Sequence, residues 1–274
     1  MGKIGQKFIY MDKLSTLDRV ILCASEFFGT AILVFLGCMS CAVGLSGGSV
    51  PHEQIALSFG LAVMLSVQTF GHISGSHINP MVTIAGAVSG KLPFIEVPIY
   101  FVGQFAGAFA GYGLLMSITP SIHQAKYELR QTASNVTENV KVLGVCSPHI
   151  NDDLSGFQGM FCEFILSLLF ILIVCSVWDH RNANKHDSVP IKLGLAIAVL
   201  ALAGGPFTGA NMNPARSFAP AVWHGDWDGH WAYWVGPLLA GFVGAGLYRV
   251  VFSKPEPIEQ HDSIEIAPLK QRNG

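Results

Sequence analysis

The sequence predicts an all-α membrane protein with six transmembrane helices and two shorter half-helices, related by an inverted repeat. Hydrophobic residues make up 51% of the 274-residue chain and charged residues only 12%, whereas soluble domains carry about a quarter charged residues. Six apolar stretches approach the ~20 residues that a helix needs to cross the hydrocarbon core. The two halves of the chain also resemble each other, and each holds one Asn-Pro within a polar interruption.

The apolar stretches divide the chain into a membrane-embedded domain and two tails. They lie at roughly 20–45, 55–71, 94–117, 157–178, 190–206 and 231–252. Because lipid offers the backbone no hydrogen-bond partners, we expect helices there. The expected organisation is an N-terminal tail at 1–19, a membrane domain at 20–252 with repeats at about 20–117 and 157–252, and a C-terminal tail at 253–274. The net charge of −2 gives no reason to expect a nucleic-acid partner.

The distribution of Lys and Arg predicts that both termini are cytoplasmic. With that orientation the cytoplasmic segments hold twelve Lys and Arg residues and the outer loops hold three. This bias follows the positive-inside rule, and we expect the plasma membrane as the location. The outer loop at 118–155 contains Asn135-Val136-Thr137, a glycosylation acceptor motif that agrees with this topology. So short a motif also occurs by chance and then stays unmodified.

The internal repeat predicts where the working site lies. Residues 26–38 align with 163–175, residues 73–85 with 207–219, and residues 100–111 with 233–244. Each half has three spans, and an odd number of crossings forces the second half to run in the opposite sense. Such inverted repeats have a pseudo-two-fold axis in the membrane plane and place their site near the midplane, at discontinuous helices.

Two Asn-Pro pairs mark the discontinuous helices. Asn79-Pro80 and Asn213-Pro214 each precede an apolar segment of about ten residues, which spans half a bilayer at about 1.5 Å per residue. Asparagine suits the helix cap and proline the first turn. Inverted symmetry brings the two helix starts together at the centre. The preceding polar stretches, HISGSHI and FTGANM, cannot face lipid, which favours a water-filled path; two re-entrant plugs that only support packing are the alternative.

These motifs resemble the aquaporin family over about residues 20–252. The resemblance rests on the two boxes, their SGSHINP and TGANMNPARS contexts, and two glutamates at equivalent positions of the repeats. The residues are Asn79, Pro80 and Met81 in the first box, Asn213, Pro214 and Ala215 in the second, and the glutamates Glu26 and Glu163. Met81 departs from the family's alanine, so we expect a change of packing there. The resemblance implies a right-handed six-helix bundle, a pore through each subunit and a homotetramer.

The resemblance also implies how a solute would pass. Six backbone carbonyls would form a ladder of hydrogen-bond acceptors along one wall, at Gly75, Ser76, His77, Gly209, Ala210 and Asn211. At the centre, N–H donors of Asn79 and Asn213 and two positive helix N-termini would turn water molecules and repel cations. Glu26 and Glu163 would accept backbone N–H bonds from the non-helical loops. A proton relay is the alternative role, but no chain of further carboxylates connects the two glutamates.

Register relative to the two asparagines places a constriction near the outer mouth. Its four residues are Phe59, Ala201, Ala210 and Arg216. Water-selective family members usually have histidine where this chain has Ala201, and alanine leaves a wider, more apolar opening. We therefore expect glycerol and urea to pass as well as water, as in the insect entomoglyceroporins that the sequence resembles. A water-selective channel is the alternative, because Ser217, Ala221, Tyr233 and Trp234 look typical of water channels.

Other classes of protein find less support. An enzyme would need a nucleophile with a base or a set of metal ligands, and His72 and His77 have no third ligand near them in sequence, so we expect no metal and no cofactor. Five cysteines lie in apolar stretches, where buried free thiols are expected: Cys23, Cys38, Cys41, Cys162 and Cys175. A disulfide from the loop residue Cys146 to Cys38 or Cys41 is the alternative. An adhesion or signalling protein with a non-conducting pore would be expected to have longer tails than about 19 and 22 residues.

Overall fold

The computed structural model describes residues 14–42, 50–131 and 137–254, and within 126–142 it describes the backbone only. The elements of this part, in chain order, are α1 (Thr16–Met39), α2 (His52–Ser74), α3 (Pro80–Val88), α4 (Val97–Ile118), β1 (Ala125–Gln131), β2 (Thr137–Gly144), α5 (Gly156–Trp178), α6 (Val189–Thr208), α7 (Pro214–His224) and α8 (Ala232–Leu247). A π-helical turn, Tyr248–Phe252, continues α8, and 3₁₀ turns occupy Phe94–Glu96, Ser121–His123, His180–Asn182 and His186–Ser188. Six of these helical segments are long and apolar enough to cross a membrane, which confirms the predicted class.

The structure differs from the expected organisation at both ends of α1, which ends at Met39 and not near residue 45, and in the loop after α4. Helix α1 begins inside the predicted N-terminal tail, because Ser15 caps it: the Ser15 hydroxyl accepts from the Asp18 amide at 3.1 Å, and the Asp18 carboxylate accepts from the Ser15 amide at 2.9 Å. The loop at 118–155, which was predicted to lie outside, contains the antiparallel pair β1 and β2, and the all-α prediction did not include this pair. Asn135, the predicted glycosylation site, lies outside the described residues.

The helix contacts follow the inverted repeat. Helix α1 packs against α2 and α4, and α5 packs in the same way against α6 and α8. Each half-helix packs across the repeat boundary, with α3 against α8 and α7 against α4. Two contacts join like elements of the two halves, α2 with α6 and α3 with α7. The half-helices are therefore held in the middle of the bundle, between the two halves.

Glycines allow the closest of these helix pairs to touch through their backbones. A Cβ atom on Gly103 of α4 would lie 2.5 Å from the carbonyl oxygen of Cys23 in α1, and a Cβ atom on Gly107 would clash with the Phe27 backbone. In the second half, a Cβ atom on Gly236 of α8 would lie 2.6 Å from a backbone oxygen of α5. Small residues at such crossings let membrane helices pack by van der Waals contact.

A charged cluster joins the ends of α5 and α8 on the face opposite the hairpin. Arg181 donates to the Asp179 carboxylate at 2.6 Å and to the Phe252 carbonyl at 2.7 Å. The Tyr248 hydroxyl donates to the same carboxylate at 3.2 Å. Hydrogen bonds from Arg181 hold the pKa of Asp179 well below its ordinary value, so this carboxylate stays charged at neutral pH.

We expect Gly107→Ala to destabilise the protein by about 1–3 kcal/mol, because the new methyl group meets the rigid Phe27 backbone. Gly113→Ala is the control on the same helix, since its methyl group would make an ordinary 3.6 Å contact with the Trp223 side chain. Thermal unfolding in detergent micelles compares the two variants. Equal melting temperatures would contradict the close packing of α1 and α4.

Candidate functional site

The chain adopts an unusual backbone between each long helix and the half-helix that follows it. Helices α2 and α6 both end at a glycine in the left-handed region, Gly75 with φ of 82° and Gly209 with φ of 78°. Four further residues have left-handed values, namely Ser76 (47°), Ile78 (46°), Ala210 (47°) and Met212 (51°). A non-glycine residue pays roughly 1–2 kcal/mol for this conformation. The two stretches, 75–79 and 209–213, therefore need strong support from the surrounding protein.

In the first half, that support comes from Glu26 of α1, which is fully buried. Its Oε1 accepts hydrogen bonds from the His77 amide at 2.9 Å and the Ser74 hydroxyl at 2.6 Å. Its Oε2 accepts from the Ile78 amide at 2.7 Å and from the Gln104 side chain at 2.8 Å. All four bonds end on the carboxylate, so the turn is fixed by one buried acceptor group.

In the second half, Glu163 of α5 makes the equivalent contacts and is also fully buried. Its Oε1 accepts from the Asn211 amide at 2.8 Å and the Thr208 hydroxyl at 2.6 Å, and its Oε2 accepts from the Met212 amide at 2.7 Å. The Tyr233 hydroxyl donates to the Thr208 carbonyl at 2.9 Å. Among the described residues, the hydrogen-bond partners of both glutamates are amides and hydroxyls, which are the groups that the loop-supporting role requires.

The two half-helices meet tip to tip through their cap residues. The Asn79 side chain donates to the Met212 carbonyl at 2.8 Å, and the Asn213 side chain donates to the Ile78 carbonyl at 2.9 Å. Each side-chain oxygen accepts from its own helix's first turn, at 2.9 Å in α3 and 3.0 Å in α7. An amide nitrogen carries two N–H donors, so each asparagine keeps a second N–H for a molecule beside the tips.

The remaining residues of the two boxes belong to the protein interior. Pro80 and Pro214 are the first residues of α3 and α7. Proline suits this position because an N–H group there would have no acceptor within the helix. Met81 is fully buried, and a Cβ atom on Gly241 of α8 would lie 3.4 Å from the Met81 Cγ. Ala215 takes the equivalent place in the second box and is also fully buried. The Met81 side chain therefore packs against α8 and α5 in the core.

A cavity of about 500 Å³ passes beside the tips. It is lined by Asn79, Asn213 and the six residues whose carbonyls were predicted to form the acceptor ladder. No hydrogen bond within the described part of the chain occupies those six carbonyl oxygens. Apolar side chains supply much of the remaining wall, including Val63, Val67, Phe170, Val174, Leu193 and Ile197. The cavity thus offers acceptors on one side and hydrocarbon on the other.

An aromatic collar lies where this cavity meets a second one, of about 550 Å³. The His77 ring lies between the rings of Tyr100 and Trp178, at centroid distances of 4.8 and 5.5 Å. The His77 Nδ1 is 3.2 Å from the Thr83 hydroxyl, which fixes the ring. Both cavities are lined by His77 and Trp178. Sequence reasoning missed Trp178, because the last residue of an apolar span gives no signal of facing a path.

The four predicted constriction residues line the same cavity as the tips. Arg216 of α7 is 7% exposed, and its Cζ lies 4.8 Å from the centroid of the Phe59 ring. Its Nη2 donates to the Cys146 sulfur at 3.3 Å, and its Nη1 has no hydrogen-bond partner among the described residues. Ala201 and Ala210, whose side chains are single methyl groups, line the same cavity. The structure therefore brings Arg216 and Phe59 into contact and places Ala201 and Ala210 along the same cavity.

The prediction of a free thiol at Cys38 is wrong, because Cys38 forms a disulfide with Cys146. Their Cα atoms lie 5.2 Å apart although 108 residues separate them in sequence. Sequence alone could not supply this distance, which depends on where the chain after β2 returns to the bundle. The remaining cysteines outside this bond include the thiols of Cys23, Cys162 and Cys175.

Two polar side chains, those of Tyr112 and Asp226, fix the segment that carries Cys146. The Tyr112 hydroxyl of α4 donates to the Val145 carbonyl at 2.5 Å. The Asp226 carboxylate, just after α7, accepts from the Gly144 amide at 2.7 Å and from the Ser147 hydroxyl at 2.6 Å. Together with the disulfide, these bonds place a sulfur atom against the Arg216 guanidinium.

The architecture defines a class of protein: a membrane channel in which two half-helices from an inverted repeat meet beside a continuous polar and apolar lining. A model of the major intrinsic protein family matches residues 13–248, and the chain belongs to this family. It is 34% identical to the lens fiber major intrinsic protein of Homo sapiens over 241 residues, which cover 88% of this chain and 84% of that protein. The corresponding protein of Mus musculus is 35% identical over the same coverage.

A solved structure shows the same fold. The X-ray structure of the aquaglyceroporin from Plasmodium falciparum superposes with a TM-score of 0.73 at 24% sequence identity, covering 85% of this chain and 96% of that one. Membership of the major intrinsic protein family makes the chain a passive transmembrane channel for water and small solutes, and confirms that it is not an enzyme.

We expect Glu163→Gln to destabilise the protein by about 1–3 kcal/mol and to lower water permeability, because the amide nitrogen would face N–H groups that need an acceptor. Glu53→Gln, at an exposed glutamate in the first turn of α2, is the control. Thermal unfolding and stopped-flow light scattering of proteoliposomes measure the two effects. Unchanged values in both measurements would show that Glu163 does not hold the 209–213 stretch.

Loss of the disulfide should also destabilise the protein. We expect reduction with dithiothreitol to lower the free energy of unfolding by about 2–4 kcal/mol, because the bond closes a long loop. The double variant Cys38→Ser/Cys146→Ser should show the lower stability without any response to the reductant. A wild-type melting temperature that ignores the reductant would contradict a bond between these residues.

Proposed function

We propose that this channel conducts glycerol and urea as well as water, and that it excludes ions and protons. The observation that carries the proposal is that Ala201 and Ala210 line the same cavity as Phe59 and Arg216, which contact each other. Two methyl groups leave room for a molecule with a carbon skeleton. The guanidinium of Arg216 supplies hydrogen-bond donors to such a molecule.

The lining of the path supports the same class of solute. One wall carries unoccupied carbonyl oxygens, and the other is built of aliphatic and aromatic side chains. A glycerol molecule has hydroxyl groups along one edge and C–H groups along the other. It can therefore donate hydrogen bonds to the carbonyl oxygens and make apolar contacts with the aliphatic and aromatic side chains at the same time. Ions would lose their hydration shells in this lining without equivalent ligands.

Charge exclusion rests on the arrangement at the tips and at the constriction. Two helix N-termini place partial positive charge at the centre, and the free N–H groups of Asn79 and Asn213 point the oxygen of a passing water toward them. A water held in this orientation cannot pass a proton along an unbroken hydrogen-bonded file. Arg216 adds a full positive charge that repels cations before they reach the centre.

The channel is also proposed to have a particular membrane location, orientation and oligomeric state. The excess of Lys and Arg on one side supports cytoplasmic termini, and a multi-pass protein of this kind is proposed for the plasma membrane. The proposed assembly is a homotetramer, with one pore in each subunit. Large apolar side chains are exposed on the outer faces of the helices, among them Leu61, Val199 and Phe242, where lipid or a neighbouring subunit would lie.

The proposed test is the variant Ala201→His, measured by stopped-flow permeability of proteoliposomes to water, glycerol and urea. We expect glycerol and urea permeability to fall at least tenfold while water permeability stays within about twofold, because histidine fills the space beside Phe59. Ala203→His is the control, since Ala203 is exposed on the outer face of α6 and does not line the cavity.

Each alternative function predicts a different set of water, glycerol and urea fluxes. A water-selective channel would give wild-type water flux without glycerol or urea flux. An adhesion or signalling protein with a closed pore would give none of the three fluxes. Equal glycerol flux in wild type and Ala201→His would show that the constriction does not determine which solutes pass.

A further inference from the structure

We propose that the disulfide between Cys38 and Cys146 positions the Arg216 guanidinium, and that the bond thereby sets the permeability of the channel to glycerol and urea relative to water. This inference rests on the proposed function, because it concerns how the two solutes pass the proposed constriction. It gives the disulfide a role in selectivity in addition to its role in stability.

Among the described residues, few contacts hold the Arg216 side chain. Its Nη2 donates a hydrogen bond to the Cys146 sulfur at 3.3 Å, and its Cζ lies 4.8 Å from the centroid of the Phe59 ring. Its Nη1 is buried without a hydrogen-bond partner, and within the described part of the chain no carboxylate forms an ion pair with this guanidinium. The Cys146 sulfur is therefore the polar contact on which the orientation of the guanidinium depends.

The disulfide fixes this sulfur relative to the helix that packs against Phe59. Cys38 is fully buried in the last turn of α1, and a Cβ atom on its neighbour Gly37 would clash with the Phe59 ring. Cys38 and Cys146 also belong to one apolar cluster, against which the Phe59 side chain packs. The last turn of α1 thus holds the ring by packing and holds the sulfur by a covalent bond.

The proposed orientation of the channel suits a disulfide at this place. The distribution of Lys and Arg puts the loop at 118–155, which carries Cys146, on the outer face of the membrane. Disulfides persist in oxidising surroundings outside the cytoplasm and are rare within it. We therefore expect the bond to be closed in the working channel and open only when a reductant reaches it.

Reduction would remove the covalent part of this arrangement. Cys146 is 8% exposed and lines the cavity, whereas Cys38 is fully buried, so we expect a dithiol to attack the Cys146 sulfur. The S–S bond of the protein then breaks, and the second thiol of the reagent displaces Cys146 as the reagent forms its own disulfide. Two electrons pass from the reagent to the protein, and Cys38 and Cys146 each gain a proton and become thiols.

Loss of the bond is expected to affect solutes of different size unequally. The segment that carries Cys146 keeps its hydrogen bonds with Tyr112 and Asp226, so the segment stays in place while the sulfur becomes free to turn. A guanidinium that loses its acceptor turns toward the cavity, where water supplies acceptors, and takes up space beside Phe59. Glycerol and urea need that space more than the smaller water molecule does.

The test compares wild type with Cys38→Ser/Cys146→Ser in proteoliposomes, with water, glycerol and urea permeability measured on each preparation. We expect the double variant to lower the glycerol-to-water and urea-to-water ratios at least threefold. Wild type treated with dithiothreitol, once thiol labelling shows that the bond is open, should show the same fall. The double variant should not respond to the reagent.

Gly107→Ala is the control for lost stability. Its methyl group would clash with the backbone of Phe27, eleven residues before Cys38 on α1, and Gly107 does not line the cavity. We expect this variant to keep the wild-type ratios although the protein is less stable. A purely structural effect of the disulfide would likewise change all three permeabilities together.

The measurements separate the possible outcomes. Water permeability reports the amount of assembled channel, so a variant that assembles poorly still yields a ratio, and reduction of assembled wild type decides if the double variant yields no channel. Ratios that rise or fall less than threefold on loss of the bond, or an equal fall in Gly107→Ala, would overturn the positioning role while leaving glycerol conduction in place. A wild-type channel that carries water alone would overturn both this role and the proposed function.

Discussion

The path through this protein depends on two buried carboxylates that hold otherwise unfavourable backbone in place. Glu26 and Glu163 each bind the amides of two successive residues in a stretch with left-handed conformations. These bonds engage the amides of each stretch, and the six carbonyls predicted to form the ladder have no hydrogen-bond partner among the described residues. The same bonds fix the start of each half-helix, so that Asn79 and Asn213 can bind across the tips. The acceptor ladder and the central N–H donors thus both depend on the hydrogen bonds that Glu26 and Glu163 accept.

The proposed constriction is assembled differently, from elements far apart in sequence. Phe59 comes from α2, Ala201 from α6, and Arg216 from α7, and the Cys146 sulfur that contacts the guanidinium is tied to α1 by the disulfide. Arg216 lies three residues after Asn213, so its position follows from the tip contact. Its side-chain orientation follows from the outer loop. The proposed selectivity therefore depends on two parts of the path: the asparagine tips, and the residues around Arg216, whose arrangement depends on the loop that connects the two halves.

Much of this arrangement could be predicted from local sequence, because each half-helix carries its own signals. The Asn-Pro pairs at 79–80 and 213–214 predict where each half-helix begins. The similarity between the two halves of the sequence predicts that the two helix starts face each other. A disulfide from Cys146 to Cys38 or Cys41 was only the alternative prediction, and the β1–β2 hairpin and the place of Trp178 were not predicted. These features depend on distances between segments or on side-chain direction at a helix end.

The central claim is that the two tips touch and leave a path in which water passes and protons do not. Parallel measurement of osmotic water flux and of proton flux, with a pH-sensitive dye inside the same proteoliposomes, tests it most directly. The account predicts water flux at least tenfold above that of protein-free vesicles and proton flux equal to theirs. Proton flux that rises with the amount of protein, or water flux no greater than that of the lipid alone, would contradict it.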